Sequence, residues 1–258
     1  CHRSEVLVTV GVSEGLDAAF RAILNPGDEV LVPEPCYVSY APCVLFAGGI
    51  PVAVPTRAVD GFKVQADNLS TYITPKTKAI LLSYPTNPTG AVMGRQELQD
   101  VVDVACANDL YILSDEIYDR LSYDAPHVCV PSLAGAKERT ILLNGFSKAY
   151  AMTGWRVGWM IGPPDVMKAA INFQSHTTSN VSNVAQYAAV AALTGGLDDV
   201  ARMRAAFARR GEQMHQMLTA IPGVTCMQPQ GAFYCFPNVG GLLQRNIGGI
   251  TAHNTMQL

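Results

Sequence analysis

Lys148 is the residue whose type and surroundings point most directly to chemistry. It lies in a polar, glycine-bearing turn between two apolar runs, Ile141 to Leu143 and Val157 to Ile161, which are typical of buried strands. Burying an ammonium group is costly, and burial lowers its pKa and leaves a nucleophilic amine. Such amines form Schiff bases with aldehydes. The alternative is a solvated surface lysine, which is the common fate of a lysine in a loop.

Arg156 follows Lys148 by eight residues, and its planar guanidinium suits a phosphate. An amine that condenses with an aldehyde, beside a group that holds a phosphate, meets the requirements of pyridoxal 5'-phosphate. The string SKAYAMTGWRVGW, which starts at Ser147, resembles the cofactor-lysine signature of class I/II aminotransferases, the fold-type-I, aspartate aminotransferase-like enzymes. The resemblance implies that Lys148 holds this cofactor as a Schiff base. Some relatives have a phosphate-binding serine where this chain has Gly145, so Ser147 remains the candidate phosphate ligand beside Arg156.

A second candidate anion site precedes the first predicted helix. The sequence predicts a strand from Val6 to Val10, a turn at GVSEG and a helix from Leu16 to Leu24, which leaves free N–H groups at the helix start. Taken alone, the segment is better explained by an ordinary cap from Ser13. The resemblance implies instead that the backbone N–H groups of Val12, Ser13 and Glu14 contact the cofactor phosphate, without the Glu14 carboxylate.

Two loops that follow predicted strands carry further candidates. PEPCYVSY contains Tyr37 and Tyr40, and an aromatic residue at this place usually belongs to the core. NPTG contains Asn87, which either starts a turn or presents its amide at a strand end, where α/β sheets carry chemistry. The resemblance implies that Tyr37 stacks on the cofactor ring and that Asn87 hydrogen-bonds the cofactor's phenolic oxygen.

The segment SDEIYDRL places three acids within five residues at the end of a predicted strand, Leu110 to Leu113. They are either solvated loop acids or include one carboxylate that faces inward and pairs with a cation. The resemblance implies the second reading for Asp115, which pairs with the protonated pyridine nitrogen of the cofactor. It also implies that Tyr118 donates a hydrogen bond to the phenolic oxygen, together with Asn87.

Strands alternate with helices through residue 163, which predicts a mostly parallel sheet covered on both faces. The resemblance implies a three-layer α/β/α large domain with a seven-stranded sheet. We predict that residues 1–200 form this pyridoxal-phosphate-binding domain, and that residues 201–258 form a linking helix and the truncated start of a small α+β domain. In that second part, GAFYCFPNV, from Gly231, is predicted to be a strand, and the arginines between Arg202 and Arg210 to be solvated.

Composition excludes several other classes. A net charge of −3 without a basic cluster argues against nucleic acid, and no apolar run is long enough to cross a bilayer. Seven scattered cysteines without a CxxC pair indicate reduced thiols in the cytoplasm and no metal site.

The function that the resemblance implies is transfer of an amino group between an L-amino acid and a 2-oxo acid by a homodimer in its full-length form. Two alternatives remain open: a carbon–sulfur β-lyase of the same fold, and a non-enzymatic effector domain of a transcription regulator. The chain begins with Cys1, and family members carry more residues at both ends. We therefore expect a large-domain fragment that is poorly active by itself.

Overall fold

The computed structural model describes residues 1–258, and its centre is one seven-stranded sheet. The strands are β1 (Val6–Thr9), β2 (Glu29–Glu34), β3 (Ile50–Pro55), β4 (Thr77–Leu82), β5 (Tyr111–Asp115), β6 (Thr140–Gly145) and β7 (Gly158–Ile161). Their spatial order is β1-β7-β6-β5-β4-β2-β3. Only β7 runs antiparallel to its neighbours, β1 and β6, so the mostly parallel sheet is confirmed.

Helices cover both faces of the sheet. They are α1 (Gly11–Ile23), α2 (Tyr40–Phe46), α3 (Ala66–Leu69), α4 (Arg95–Ala107), α5 (Pro164–His176), α6 (Asn183–Thr194) and α7 (Asp198–Thr219). Alternate residues of a strand enter opposite cores, because side chains point to the two faces in turn. Val30 and Val32 on β2 join a core with α1, α2 and α5, whereas Leu31 joins a core with α3 and α4. The three-layer α/β/α prediction is thus confirmed.

Two elements near the site differ from the sequence prediction. The first helix begins at Gly11 rather than near Leu16, so the predicted turn GVSEG forms its first turn. The short helix α2 was not predicted, because the prolines of PEPCYVSY indicate a loop. A further proline, Pro42, is the third residue of α2, and proline is tolerated in the first turn of a helix.

The part of the chain after α7 contains little regular structure. Strand β8 (Thr225–Cys226) pairs with β9 (Pro237–Asn238), and β10 (Asn246–Ile247) pairs with β11 (Ile250–Thr251). The strand predicted from Gly231 is wrong over most of its length. Gly231 forms one isolated bridge, and Ala232 has a positive φ of 56°, which interrupts an extended conformation. The predicted domain boundary at residue 200 lies within α7 and stays a prediction.

Candidate active site

The candidate site is a cavity of about 250 Å³ where the carboxyl ends of β4, β5 and β6 meet the start of α1. Side chains after neighbouring parallel strands converge at this edge, which is where open α/β sheets bind ligands. Nine of the lining residues are those that the sequence analysis assigned to the cofactor: Val12, Ser13, Tyr37, Asn87, Asp115, Tyr118, Ser147, Lys148 and Arg156. Five further residues complete the lining: Leu16, Tyr40, Ile117, Thr153 and Tyr234.

Lys148 follows β6 by three residues and is half-buried rather than enclosed between strands. Its Nζ lies 6.0 Å from the centre of the Tyr118 ring and 5.7 Å from the centre of the Phe233 ring. Aromatic faces attract a cation at such distances. The amine is therefore held inside the cavity while remaining accessible to a ligand.

Asp115 ends β5 and is 4% exposed. Burial raises the pKa of its carboxyl group from 3.8 to about 6, against the opposing effect of a hydrogen bond from the Tyr40 hydroxyl at 2.8 Å. The backbone N–H of Ile117 also donates to it at 3.2 Å and acts in the same direction as Tyr40. Both hydrogen-bond donors are neutral. A buried carboxylate supported in this way fits a cationic ligand group, which would offset the cost of its burial.

Glu116 is the second buried acid of the segment, at 3% exposed, so the cluster does not consist of one inward acid and solvated neighbours. Its carboxylate accepts hydrogen bonds from Ser114 Oγ at 3.0 Å and from the Val130 N–H at 2.9 Å, and pairs with His127 Nε2 at 2.6 Å. The third acid, Asp119, is half-buried. Glu116 is thus satisfied away from the cavity, and Asp115 is the acid that faces it.

Tyr40→Phe is expected to raise the pKa of the Asp115 carboxyl by about one unit, from about 6 towards 7. The hydroxyl of Tyr40 stabilises the charged carboxylate, so its loss favours the protonated acid. Carboxyl-carbon NMR of the cofactor-free chain measures this shift. Tyr84→Phe is the matched control, because it also removes a buried hydroxyl but one that contacts Val64 and Phe62. An equal shift in both variants would contradict the assignment.

Tyr118 and Tyr234 meet at the wall of the cavity, with their hydroxyl oxygens 2.7 Å apart. Burial raises the pKa of Tyr118 well above its usual value. Tyr118 therefore stays protonated and can donate one hydrogen bond. The sequence analysis missed Tyr234 because GAFYCFPNV suggested only a strand.

Asn87 and Tyr37 line the cavity from two different loops, and both are half-buried. Asn87 follows β4, so its amide group reaches the cavity at the same sheet edge as Asp115. The ring of Tyr37 packs edge-on against the ring of Tyr40, with centroids 5.5 Å apart. The cavity therefore receives one polar side chain, Asn87, and one aromatic side chain, Tyr37, from these loops.

The part of the cavity lined by Val12, Ser13 and Arg156 is suited to an anion. Helix α1 starts there. Its N-cap residue is Val10, whose side chain accepts no hydrogen bond from the free N–H groups of the first turn. Arg156 adds a guanidinium, which donates from Nη1 to the Thr153 carbonyl at 3.0 Å. A side chain at Gly11 would place its Cβ 2.6 Å from Arg156 Nη2, and Gly11 also has a φ of +72°. The absence of a side chain at Gly11 therefore allows Arg156 to approach the helix start.

Glu14 is the one predicted residue that does not line the cavity. Its carboxylate accepts hydrogen bonds from the Val10 N–H at 2.6 Å and from Gln174 Nε2 at 2.9 Å, and it also contacts the Thr178 hydroxyl. Because α1 begins at Gly11, the N–H of Glu14 belongs to the fourth helical residue. Gly11 joins the predicted donors Val12 and Ser13 at the helix start, and a contact between the Glu14 N–H and a phosphate stays a prediction.

Gly145 also has a structural explanation. A Cβ at this position would lie 3.0 Å from the Cα of Gly158 and 3.1 Å from the Val157 carbonyl oxygen, because β6 and β7 approach closely here. A serine would crowd backbone atoms, which cannot move aside as a flexible side chain can. Ser147, at the cavity wall, therefore remains the candidate hydroxyl on this loop.

Comparison with known proteins establishes the family. The sequence matches a model of "Aminotransferase class I and II" over residues 2–256, so the chain belongs to this family. It is 48% identical over 260 residues to an aspartate aminotransferase of Streptomyces avermitilis, with 99% of this chain and 63% of the relative covered. It is 44% identical to an aspartate aminotransferase of Geobacillus stearothermophilus, with 91% and 60% covered.

Solved structures agree with this assignment. The aspartate aminotransferase from Rhizobium meliloti is similar with a TM-score of 0.91 at 38% identity, covering 93% of this chain and 61% of that one. The Thermus thermophilus aspartate aminotransferase with maleate gives 0.88 at 39% identity, covering 93% and 63%. The chain thus spans between 60% and 63% of the length of these four relatives.

No group of three or more His, Cys, Asp or Glu residues is placed to hold a metal ion. None of the helices combines the length and apolar character that crossing a bilayer requires.

Proposed function

We propose that this chain carries the cofactor site of a pyridoxal-phosphate-dependent aminotransferase, which moves an amino group between an L-amino acid and a 2-oxo acid. The observation that carries the proposal is the arrangement of Lys148 and Asp115 in one cavity, with an anion site at the start of α1. Each group suits a different part of the same ligand: an aldehyde, a basic ring nitrogen and a phosphate.

The residues present fit pyridoxal 5'-phosphate by their chemistry. Lys148 would hold the aldehyde carbon, and Asp115 would face the ring nitrogen, since a buried carboxylate with neutral donors accommodates a cation. Asn87 and Tyr118 would contact the phenolic oxygen, and Tyr37 the ring face. The phosphate would be held by the free N–H groups of α1 together with Ser147 and Arg156. When bound, this cofactor supplies an electron-accepting ring that stabilises a carbanion at the substrate's α-carbon.

The chain's own residues would handle the protons. Lys148 Nζ, once released, would act as a general base and take the proton from the α-carbon of the substrate. It would then act as a general acid and deliver the proton. Asp115 would remain ionised beside the positive ring nitrogen and keep the proton there. Tyr118, protonated because burial raises its pKa, would donate a hydrogen bond from its hydroxyl. The apolar side chains of Leu16 and Ile117 in the lining would limit the water around these groups.

Aspartate is the first amino donor to test, because the names of the relatives point to it. A homodimer of the full-length protein stays a prediction of the resemblance, and a cytoplasmic location stays a prediction from the scattered cysteines. No observation favours the carbon–sulfur β-lyase or the regulator domain.

A single-turnover assay tests this function. The chain loaded with cofactor is mixed with L-aspartate, and then with other L-amino acids, without a 2-oxo acid acceptor. We expect up to one equivalent of 2-oxo acid per chain and no free ammonia, even if the conversion is slow. D-aspartate is the control substrate. Absence of 2-oxo acid from every L-amino acid would contradict the proposal, and pyruvate with free ammonia from cystathionine would indicate the lyase.

A further inference from the structure

Tyr234 lies 116 residues from Tyr118 in the sequence, yet their hydroxyl oxygens are 2.7 Å apart at the cavity wall. We infer that Tyr234 is a positioning residue, whose hydroxyl donates to the Tyr118 oxygen and so directs the single Tyr118 proton into the cavity. This inference rests on the proposed function, in which Tyr118 donates to the phenolic oxygen of the cofactor.

The backbone around Tyr234 is fixed to the large sheet's loops rather than packed loosely beside them. The N–H groups of Gln230 and Gly231 both donate to the Gly90 carbonyl, at 2.9 and 3.0 Å. The Ala232 N–H donates to the Leu121 carbonyl at 2.9 Å, and the Tyr123 N–H donates to the Gln230 carbonyl at 2.9 Å. These bonds connect the segment to the loops after β4 and β5, which carry Asn87 and Tyr118.

A close backbone approach adds to this attachment. A Cβ at Gly231 would lie 2.6 Å from Cβ of Pro85 and 3.0 Å from the Leu121 carbonyl oxygen, so only glycine allows the segment to come this near. The side chain of Arg204 on α7 donates to the carbonyls of Ser122 at 2.5 Å and Tyr123 at 2.9 Å. One arginine of the predicted solvated run is therefore a structural contact.

Aromatic packing restrains the Tyr118 ring itself. Phe233 packs edge-on against it with centroids 5.4 Å apart, and Phe207 on α7 packs against Phe233 at 5.2 Å. The ring of Tyr234 also meets Tyr118 edge-on, at 5.9 Å. Because the ring is restrained, the main freedom left to the Tyr118 hydroxyl is rotation of its hydrogen. A hydrogen bond with the Tyr234 hydroxyl restricts the direction in which the Tyr118 hydrogen points.

The direction of the hydrogen bond follows from counting protons. Each phenol has one hydrogen to donate. If Tyr118 donated to Tyr234, it would have none left for the cavity. If Tyr234 donates, Tyr118 keeps its hydrogen for the cavity, and as an acceptor it also becomes a stronger donor, because chains of hydrogen bonds polarise one another.

The test follows the visible absorption band of the cofactor-loaded chain as a function of pH. A donor to the phenolic oxygen stabilises negative charge there and lowers the pH midpoint of the band. Tyr234→Phe is expected to raise the midpoint by roughly 0.2–0.6 pH unit. In a Tyr118→Phe background the same substitution should have no effect, because Tyr234 acts through Tyr118.

Tyr123→Phe is the matched structural control. It removes the hydroxyl that donates to the Ala232 carbonyl on the same segment but does not reach Tyr118, and it should leave the midpoint unchanged. An unchanged or lowered midpoint in Tyr234→Phe, or an equal rise in both backgrounds, overturns the inference alone. A wild-type chain that forms no band with the cofactor overturns the proposed function itself, and the inference with it.

Discussion

Replacing Lys148 with alanine is expected to abolish covalent attachment of the cofactor and to slow amino transfer by at least about 10²–10⁴-fold. That range is what a positioned side chain contributes by proton transfer alone. The structure offers no second amine at the cavity, since Lys148 is the one lysine in its lining. The measurements are the visible absorption of the chain with cofactor and the rate of single-turnover formation of the 2-oxo acid.

Lys168→Ala provides the matched control for this prediction. Lys168 is an exposed lysine on α5, outside the cavity lining. Its removal should leave both the absorption and the rate unchanged. If Lys148→Ala keeps the wild-type absorption and rate, the assignment of Lys148 is wrong.

Asp115→Asn is expected to slow proton abstraction by about 10- to 100-fold while leaving much of the cofactor binding in place. A neutral amide cannot hold the proton on the ring nitrogen as a carboxylate does. A hydrogen bond to a charged group is worth roughly 1.5–3 kcal/mol, and losing that free energy in the transition state slows the reaction by about 10- to 100-fold. Stopped-flow measurement of the first half-reaction tests it, and an unchanged rate would refute the role.

The same substitution should stabilise the chain without cofactor, in a pH-dependent way. The Asp115 pKa is about 6 in the folded chain against 3.8 in the reference state, so the folded state binds its proton more tightly. Stability contributed by the protonated acid is present below pH 4 and is lost as the pH rises through 6. Above pH 6 we expect Asp115→Asn to raise the free energy of unfolding by roughly 1–3 kcal/mol.

Urea unfolding at pH 4.5 and pH 7.5 measures this difference, which should be small at the lower pH. Asp124→Asn, which changes an exposed carboxylate in the following loop, is the control and should have little effect at either pH. Adding cofactor should stabilise the wild-type chain more than Asp115→Asn, because the ring nitrogen gives the buried carboxylate a cationic partner. A destabilised Asp115→Asn chain without cofactor at pH 7.5 would contradict this account.

The site residues that lie at or shortly after strand ends could be predicted from the sequence. Asp115 ends β5 and Lys148 follows β6 by three residues, and a parallel sheet brings the ends of its strands to one edge. The apolar runs also predicted β7 to within one residue and marked the middle of β6. These predictions succeeded because they depend on local patterns, namely strand periodicity and the polar residues that interrupt it.

Contacts between distant segments could not be predicted in this way. Tyr40 reaches Asp115 across 75 residues, and Tyr234 reaches Tyr118 across 116. Neither pair has a spacing that local geometry could reveal, because tertiary packing alone brings the partners together. The Glu14 carboxylate shows the same limit, because its partner Gln174 is a residue of α5 that lies 160 residues away in the sequence.

Reduction with borohydride followed by peptide mapping tests directly whether Lys148 holds the cofactor. The chain is loaded with pyridoxal 5'-phosphate, reduced to fix the cofactor to the amine that holds it, digested and analysed by mass spectrometry. We expect one pyridoxyl group per chain, on the peptide that contains Lys148. A label on Lys137 or Lys168, or one distributed over several lysines, would contradict it.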